Sequence, residues 1–232
     1  ALAARSDVAV VCVKTWSTEG KDRASLAFDD GADALITAVA AANAATVVSA
    51  VAPGAVTMPW REAVGATLLS FMPGQEYGSA LASLLFGDVS PSAKLPLTLP
   101  AYETQTNLTA EQWPGVDGVA TYSEALLVGY RYYDAKGLIP AFPFGHGLAY
   151  TEFGYSNLLV DADEVSVDVT NVGDRDGVET AQLYLGIPKF GHCVEPPMQL
   201  RGFAKVALRP GETATVRFAL SARDRSIWDT DR

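Results

Sequence analysis

Through its first hundred residues the chain alternates short apolar runs with segments whose apolar side chains recur at helical spacing, the pattern of a βα layout around a mostly parallel sheet. The run 8–13 (Val-Ala-Val-Val-Cys-Val) reads as a buried strand. Asp29 or Asp30 stands where it would cap a helix whose Leu35, Ile36, Val39 and Ala40 share a face and which ends near Asn43. Residues 46–51 read as the next strand, stopped by Pro53-Gly54, and 67–71 as a third, closed by Pro73-Gly74. A helix from Gln75 to Phe86 carries Leu81, Leu84 and Leu85 on one side, and Gly87 suits its C-cap. Residues 94–100 are extended, with prolines that point to an edge position. From 101 to about 150 the periodicity fades into an aromatic, Gly- and Pro-rich connector. Beyond Phe153 the texture is all-β. Segments 165–169 and 213–218 alternate apolar and polar residues with period two, 180–185 and 202–206 add two strands, and Asn171-Val172-Gly173-Asp174 and Pro210-Gly211-Glu212 supply turns. The expected fold class is α/β plus all-β: an α/β domain over 1–105, a structured connector over 106–152 and an immunoglobulin-like β-sandwich over 153–232.

Composition narrows the function classes. With 232 residues, 49% of them hydrophobic, the chain can bury a substantial core in one or two domains. A net charge of -10 repels nucleic acid and anionic membranes, which leaves a neutral or polar substrate as the better fit. No apolar run reaches the ~18 residues of a membrane span. Cys12 in the first strand and Cys193 in a distant loop are read as two free thiols, with a bridge between them left open. Two Cys and two His at scattered positions fit no zinc template, so neither metal nor cofactor is expected. The first residues have neither an initiator Met nor a signal-peptide layout, so an upstream segment is expected to have been removed. Asn107-Leu108-Thr109 is an acceptor sequon in a polar loop, as a secreted glycoprotein would carry.

The candidate chemistry lies in Trp16-Ser17-Thr18-Glu19-Gly20-Lys21-Asp22-Arg23, directly after the first strand. The C-terminal mouth of a parallel strand is where open α/β sheets present ligand-contacting groups, which makes Glu19 the first catalytic candidate. Glycoside hydrolysis needs two carboxyl groups, one to protonate the leaving oxygen and one to act as nucleophile or base. Asp22 and Arg23 are placed to tune or position Glu19, and Trp16, with Ser17, to touch a sugar. The plain alternative is a surface Glu in a polar loop, with Trp16 covering the sheet. Glu76, beside a helix N-terminus, is explained by the helix dipole. Tyr122, Glu124 and Arg131 suit bracing better than binding, and His146, between two glycines, suits a tight packed turn.

Longer segments add a resemblance. The 16–26 segment, Phe71-Met72-Pro73-Gly74-Gln75-Glu76-Tyr77-Gly78, Leu85-Phe86-Gly87-Asp88-Val89-Ser90-Pro91-Ser92-Ala93-Lys94-Leu95-Pro96, Val128-Gly129-Tyr130-Arg131-Tyr132-Tyr133-Asp134, Phe142-Pro143-Phe144-Gly145-His146-Gly147-Leu148-Ala149-Tyr150-Thr151, Glu179-Thr180-Ala181-Gln182-Leu183-Tyr184, Leu200-Arg201-Gly202-Phe203-Ala204-Lys205-Val206 and Ser226-Ile227-Trp228-Asp229 resemble, in order, glycoside hydrolase family 3, the β-glucosidase family. The resemblance implies an α/β sandwich domain, N-terminally incomplete, and a fibronectin type III-like domain, C-terminally incomplete, without the family's N-terminal barrel. It implies retaining hydrolysis of terminal β-D-glucosyl residues, with Glu19 as general acid/base and the nucleophilic Asp on the missing barrel, in cis or on a separate polypeptide. The chain alone is then expected to be nearly inert, and to be a fragment. Ser79, Ala93 and Ala125 depart from the family pattern, the last two where Gly is usual. The alternatives are a noncatalytic carbohydrate- or protein-binding module derived from such an enzyme, and a β-xylosidase of the same family.

Overall fold

The computed structural model describes residues 2–188 and 195–228, so Cys193 and Asp229 lie outside the described residues. The chain divides into two compact units. One comprises Ala1–Tyr77, Leu97–Thr121 and Ile139–Pro143, the other Gly78–Pro96, Tyr122–Leu138 and Phe144–Arg232.

In the first unit, β1 (Ala9–Lys14), α1 (Ala32–Ala42), β2 (Thr46–Val51) and β3 (Ala66–Ser70) build a parallel sheet in the order β1-β2-β3. The pattern of short apolar runs separated by a helical period predicts this layout, and β2 occupies the expected residues. As the central strand, β2 has no exposed residue, and Val48 and Ala50 are fully buried. The edge strand β1 differs from expectation: Val11 and Val13 face the core while Val10 and Cys12 on the opposite face are exposed. Cys12 is a free thiol on that exposed face, not a buried small hydrophobe.

Helix α1 buries Ala32, Ile36 and Ala40, one residue per turn, and Ile36 with no exposed surface contributes about 2 kcal/mol of hydrophobic stabilisation. Leu35, expected on that face, is exposed. Neither Asp29 nor Asp30 caps the helix: Gly31 holds the N-cap at φ 69, and no side-chain cap bond forms. Asn43 ends α1 and donates through Nδ2 to the carbonyls of Ala3 and Ser6. Residues 94–100 form no strand. Leu99 alone makes a bridge, to Phe142, because Pro96 and Pro100 cannot donate to a ladder.

The second unit contains α2 from Gly78 onward (the helix is Tyr77–Leu85), α3 (Tyr130–Lys136) and five strands: β4 (Phe153–Val160), β5 (Glu164–Asn171), β6 (Gly177–Leu185), β7 (Gln199–Leu208) and β8 (Thr213–Ala219). Antiparallel sheets β4-β5-β8 and β6-β7 share a core of Val165, Val169, Ala181, Leu208, Val216 and Phe218. This is the expected β-sandwich, and its alternation of inward and outward residues was readable in β5 and β8. Helix α3, inside the aperiodic connector, was not predicted. It packs by aromatic rings: Tyr130 stacks on Phe144 at 4.7 Å and meets Tyr184 edge-on at 5.9 Å, and its hydroxyl accepts the Leu200 N–H. Ala125 stands at φ 49, a conformation that costs a Cβ-bearing residue strain.

Asn171 holds the end of this sandwich. Fully buried, it donates through Nδ2 to the carbonyls of Arg175 and Leu208, and its Oδ1 accepts from Thr151 Oγ1 and the Gly173 N–H. Asn171→Ala leaves several of these groups buried without partners and is expected to cost about 3 kcal/mol. Urea unfolding followed by the sandwich's own signal checks this, and a loss below about 1 kcal/mol contradicts it.

Candidate active site

The acid-bearing loop leaves β1 in ladder register, since the Thr15 N–H still bonds to the Val51 carbonyl at 3.0 Å. Thr18 and Lys21 then form an isolated antiparallel bridge that puts Glu19 and Gly20 at the two corners of a tight turn. Gly20 takes φ 75, the left-handed geometry that glycine adopts without a Cβ penalty. Glu19 is thereby held exposed at the tip of the turn, beyond the C-terminal end of β1. Trp16 is 42% exposed, and the Lys21 ammonium lies 5.8 Å from its ring centroid, a cation-π pair that braces the turn's base.

The loop is tied at both limbs. The Trp16 N–H donates to Asp29 Oδ2 at 2.9 Å across 13 residues, closing the neck in the manner of an Ω-loop. Arg23 donates through Nη2 to the Ala55 carbonyl at 2.6 Å, while its Nη1 is buried without a hydrogen-bond partner. Leu26 bonds in both directions: its N–H donates to Glu103 Oε1 at 3.1 Å and its carbonyl accepts the Thr57 N–H at 2.9 Å. Below the loop, Phe28 and Trp60 pack at 6.2 Å, and Trp60 Nε1 donates to Asp33 Oδ1.

Trp16, Ser17, Glu19, Asp22 and Arg23 therefore share one loop, with Ser17 and Asp22 exposed. Asn107 is exposed in another loop at φ 44. Asp29 and Glu103 as loop ties were not legible, since their partners are backbone N–H groups that carry no sequence signal. Among the described residues no cluster of His, Cys, Asp and Glu could hold a metal, and no helix is long and apolar enough to cross a membrane.

Several of the remaining motifs meet within the second unit. Lys94 donates to the Gly147 carbonyl at 3.0 Å and pairs with Glu179 at 3.2 Å, Tyr155 donates to the same carboxylate at 3.0 Å, and Thr180 Oγ1 donates to the Ser92 carbonyl. Burial, then the Glu179 charge and its hydrogen bond, hold the Tyr155 phenol well above its ordinary range. Gly145 has φ 81, a conformation that favours glycine, and a Cβ there would push the ends of the Gln182 and Tyr184 side chains aside. His146 is half-buried in this tight turn; its carbonyl accepts the Leu95 N–H, and burial together with the Lys94 charge pushes its pKa below 6.5.

The unfolded chain thus binds a proton at His146 more readily than the folded one. The stability involved is present above about pH 6.5 and is lost as the pH falls through the depressed folded value. Asp168 and Asp224, lowered chiefly by side-chain hydrogen bonds from Thr215 and Ser221 respectively, act only below the ordinary aspartate value of 3.8. Between about pH 6.5 and 5, His146→Gln is expected to flatten the fall in melting temperature relative to the wild type. Parallel slopes would place the titrating group elsewhere.

With the geometry in place, comparison with known proteins assigns the class. The glycosyl hydrolase family 3 C-terminal domain matches residues 1–150, and a fibronectin type III-like domain matches 179–232. The chain belongs to glycosyl hydrolase family 3. It is 42% identical to thermostable beta-glucosidase B of Acetivibrio thermocellus over 98% of this chain and 31% of that protein. It is 38% identical to a beta-glucosidase of Rhizobium radiobacter, over 99% of this chain and 30% of that protein. Among solved structures, DesR, a beta-glucosidase from Streptomyces venezuelae in complex with D-glucose, superposes with a TM-score of 0.94 at 38% identity, covering 99% of this chain and 30% of that one. The chain thus spans less than a third of the length of these relatives.

Proposed function

We propose that this chain is the C-terminal part of a retaining β-glucosidase, and that Glu19 is its general acid/base. Glu19 protonates the glycosidic oxygen of a terminal β-D-glucosyl residue as the aglycone leaves, then deprotonates the water that releases the sugar. The nucleophilic Asp belongs to a barrel domain outside this chain, in cis or on a separate polypeptide, and must stand about 5.5 Å from the acid. Trp16 and Ser17 face the sugar, and Asp22 and Arg23 support the turn. Secretion, with a glycan on Asn107, completes the reading. The observation that carries it is the exposed Glu19 at a turn tip beyond the mouth of β1, in a loop tied at both limbs.

The test is a series of aryl β-D-glucosides turned over by the Glu19→Gln full-length enzyme. An acid's loss makes kcat/KM depend steeply on leaving-group pKa, because only poor leaving groups need the proton. A flat dependence with wild-type rates would assign the proton transfer to another residue.

A further inference from the structure

Glu19 stands seven positions before the point where its loop is fastened to the body of the first unit, and that fastening uses a side chain from far along the sequence. Glu103, on the 3-10 turn Glu103–Gln105, accepts the Leu26 N–H through Oε1 at 3.1 Å across 77 residues. Leu26 is the node of the descending limb, since its carbonyl also accepts the Thr57 N–H at 2.9 Å. Arg23, between Leu26 and the turn, holds the Ala55 carbonyl, and the Trp16 neck is closed by Asp29. Apart from the Thr18–Lys21 bridge, no regular secondary structure supports residues 15–28, so these ties decide where the turn tip sits.

We infer that Glu103 is a positioning residue for the catalytic acid: it fixes the backbone of the Glu19 loop through Leu26 and touches no substrate itself. This rests on the assignment of Glu19 as the acid. The bond is solvent-exposed, so water can replace the carboxylate at the Leu26 N–H once it is removed. The fold therefore tolerates its loss, while the limb that carries Glu19 gains freedom. Proton transfer is sensitive to such freedom, because a misplacement on the order of 1 Å, caused far from the chemistry, costs up to about 100-fold in rate. The effect falls on the step that uses the acid. Glu103→Gln keeps an oxygen at the same reach to accept the Leu26 N–H, whereas Glu103→Leu does not.

The experiment compares both variants, with Glu19→Gln alongside, in the full-length enzyme. It uses phenyl β-D-glucoside, whose leaving group needs a proton, and 2,4-dinitrophenyl β-D-glucoside, whose leaving group does not. Glu103→Leu is expected to lower kcat/KM for the phenyl substrate about 10-fold and for the dinitrophenyl substrate less than about 2-fold. Glu103→Gln should recover most of the loss, and the melting temperature should move by no more than about 2 °C. Equal losses on both substrates, no loss, or a Gln variant as impaired as the Leu variant would overturn the inference. If Glu19→Gln itself treats the two substrates alike, the acid assignment falls and this role falls with it. If Glu19→Gln discriminates and Glu103→Leu does not, the positioning role falls alone.

Discussion

In the full-length enzyme, Glu19→Ala is expected to lower kcat/KM for phenyl β-D-glucoside by roughly 10³-fold, the middle of the range for a general acid. That factor corresponds to about 4 kcal/mol of transition-state stabilisation. For the dinitrophenyl substrate kcat/KM should stay near the wild-type value, because the leaving group departs as a stable anion. Its kcat should nevertheless fall, since under the proposed role the same carboxylate would also deprotonate the water that attacks a glycosyl-enzyme. Azide, a nucleophile with no proton to lose, is expected to restore that kcat and to yield β-glucosyl azide. These three readings separate an acid/base from a residue that only binds sugar, whose loss would lower kcat/KM on both substrates together. Absence of azide rescue and of any leaving-group dependence would remove Glu19 from the reaction.

Glu179→Leu is expected to destabilise the second unit by about 3–5 kcal/mol, the cost of leaving a largely buried charge without its partner. The Lys94 and Glu179 side chains are only 17% and 10% exposed, so water cannot readily take over the lost interaction. Tyr155 also loses the acceptor for its hydroxyl. Adding Lys94→Met to Glu179→Leu should recover much of the loss, since apolar replacement of a buried pair is often nearly neutral, and this non-additivity is the decisive reading. Denaturant unfolding of the single and double variants measures it. A single-variant loss below about 1 kcal/mol would make the pair equivalent to a surface ion pair.

Much of this architecture follows from local pattern. The run Thr46-Val47-Val48-Ser49-Ala50-Val51 lies at the centre of its sheet, and the period-two segments at 165–169 and 213–218 face a common core, so their apolar content and their burial agree. β1 carries an equally apolar run but lies at a sheet edge, and an apolar strand looks the same in sequence whether one face or two are covered. Asp29 and Asp30 both suit a helix cap by residue type, yet neither caps α1, and the Asp29 carboxylate accepts the Trp16 N–H instead. Helix α3 escaped notice because Tyr130-Arg131-Tyr132-Tyr133 has low helix propensity, and ring packing on Phe144 and Tyr184 outweighs that preference.

The sequence by itself determined the strand and helix order of the parallel sheet, the presence of an α/β part and a β-sandwich, and the family, because each rests on residue types at short spacing. It also placed Glu19 after a strand in a turn with glycine at its corner. Only the tertiary structure decided what holds that turn. Asp29, Ala55, Thr57 and Glu103 meet the loop across 13 to 77 residues of chain. Hydrogen bonds to backbone groups can be made by many side chains, and their partners are set by the path of the fold.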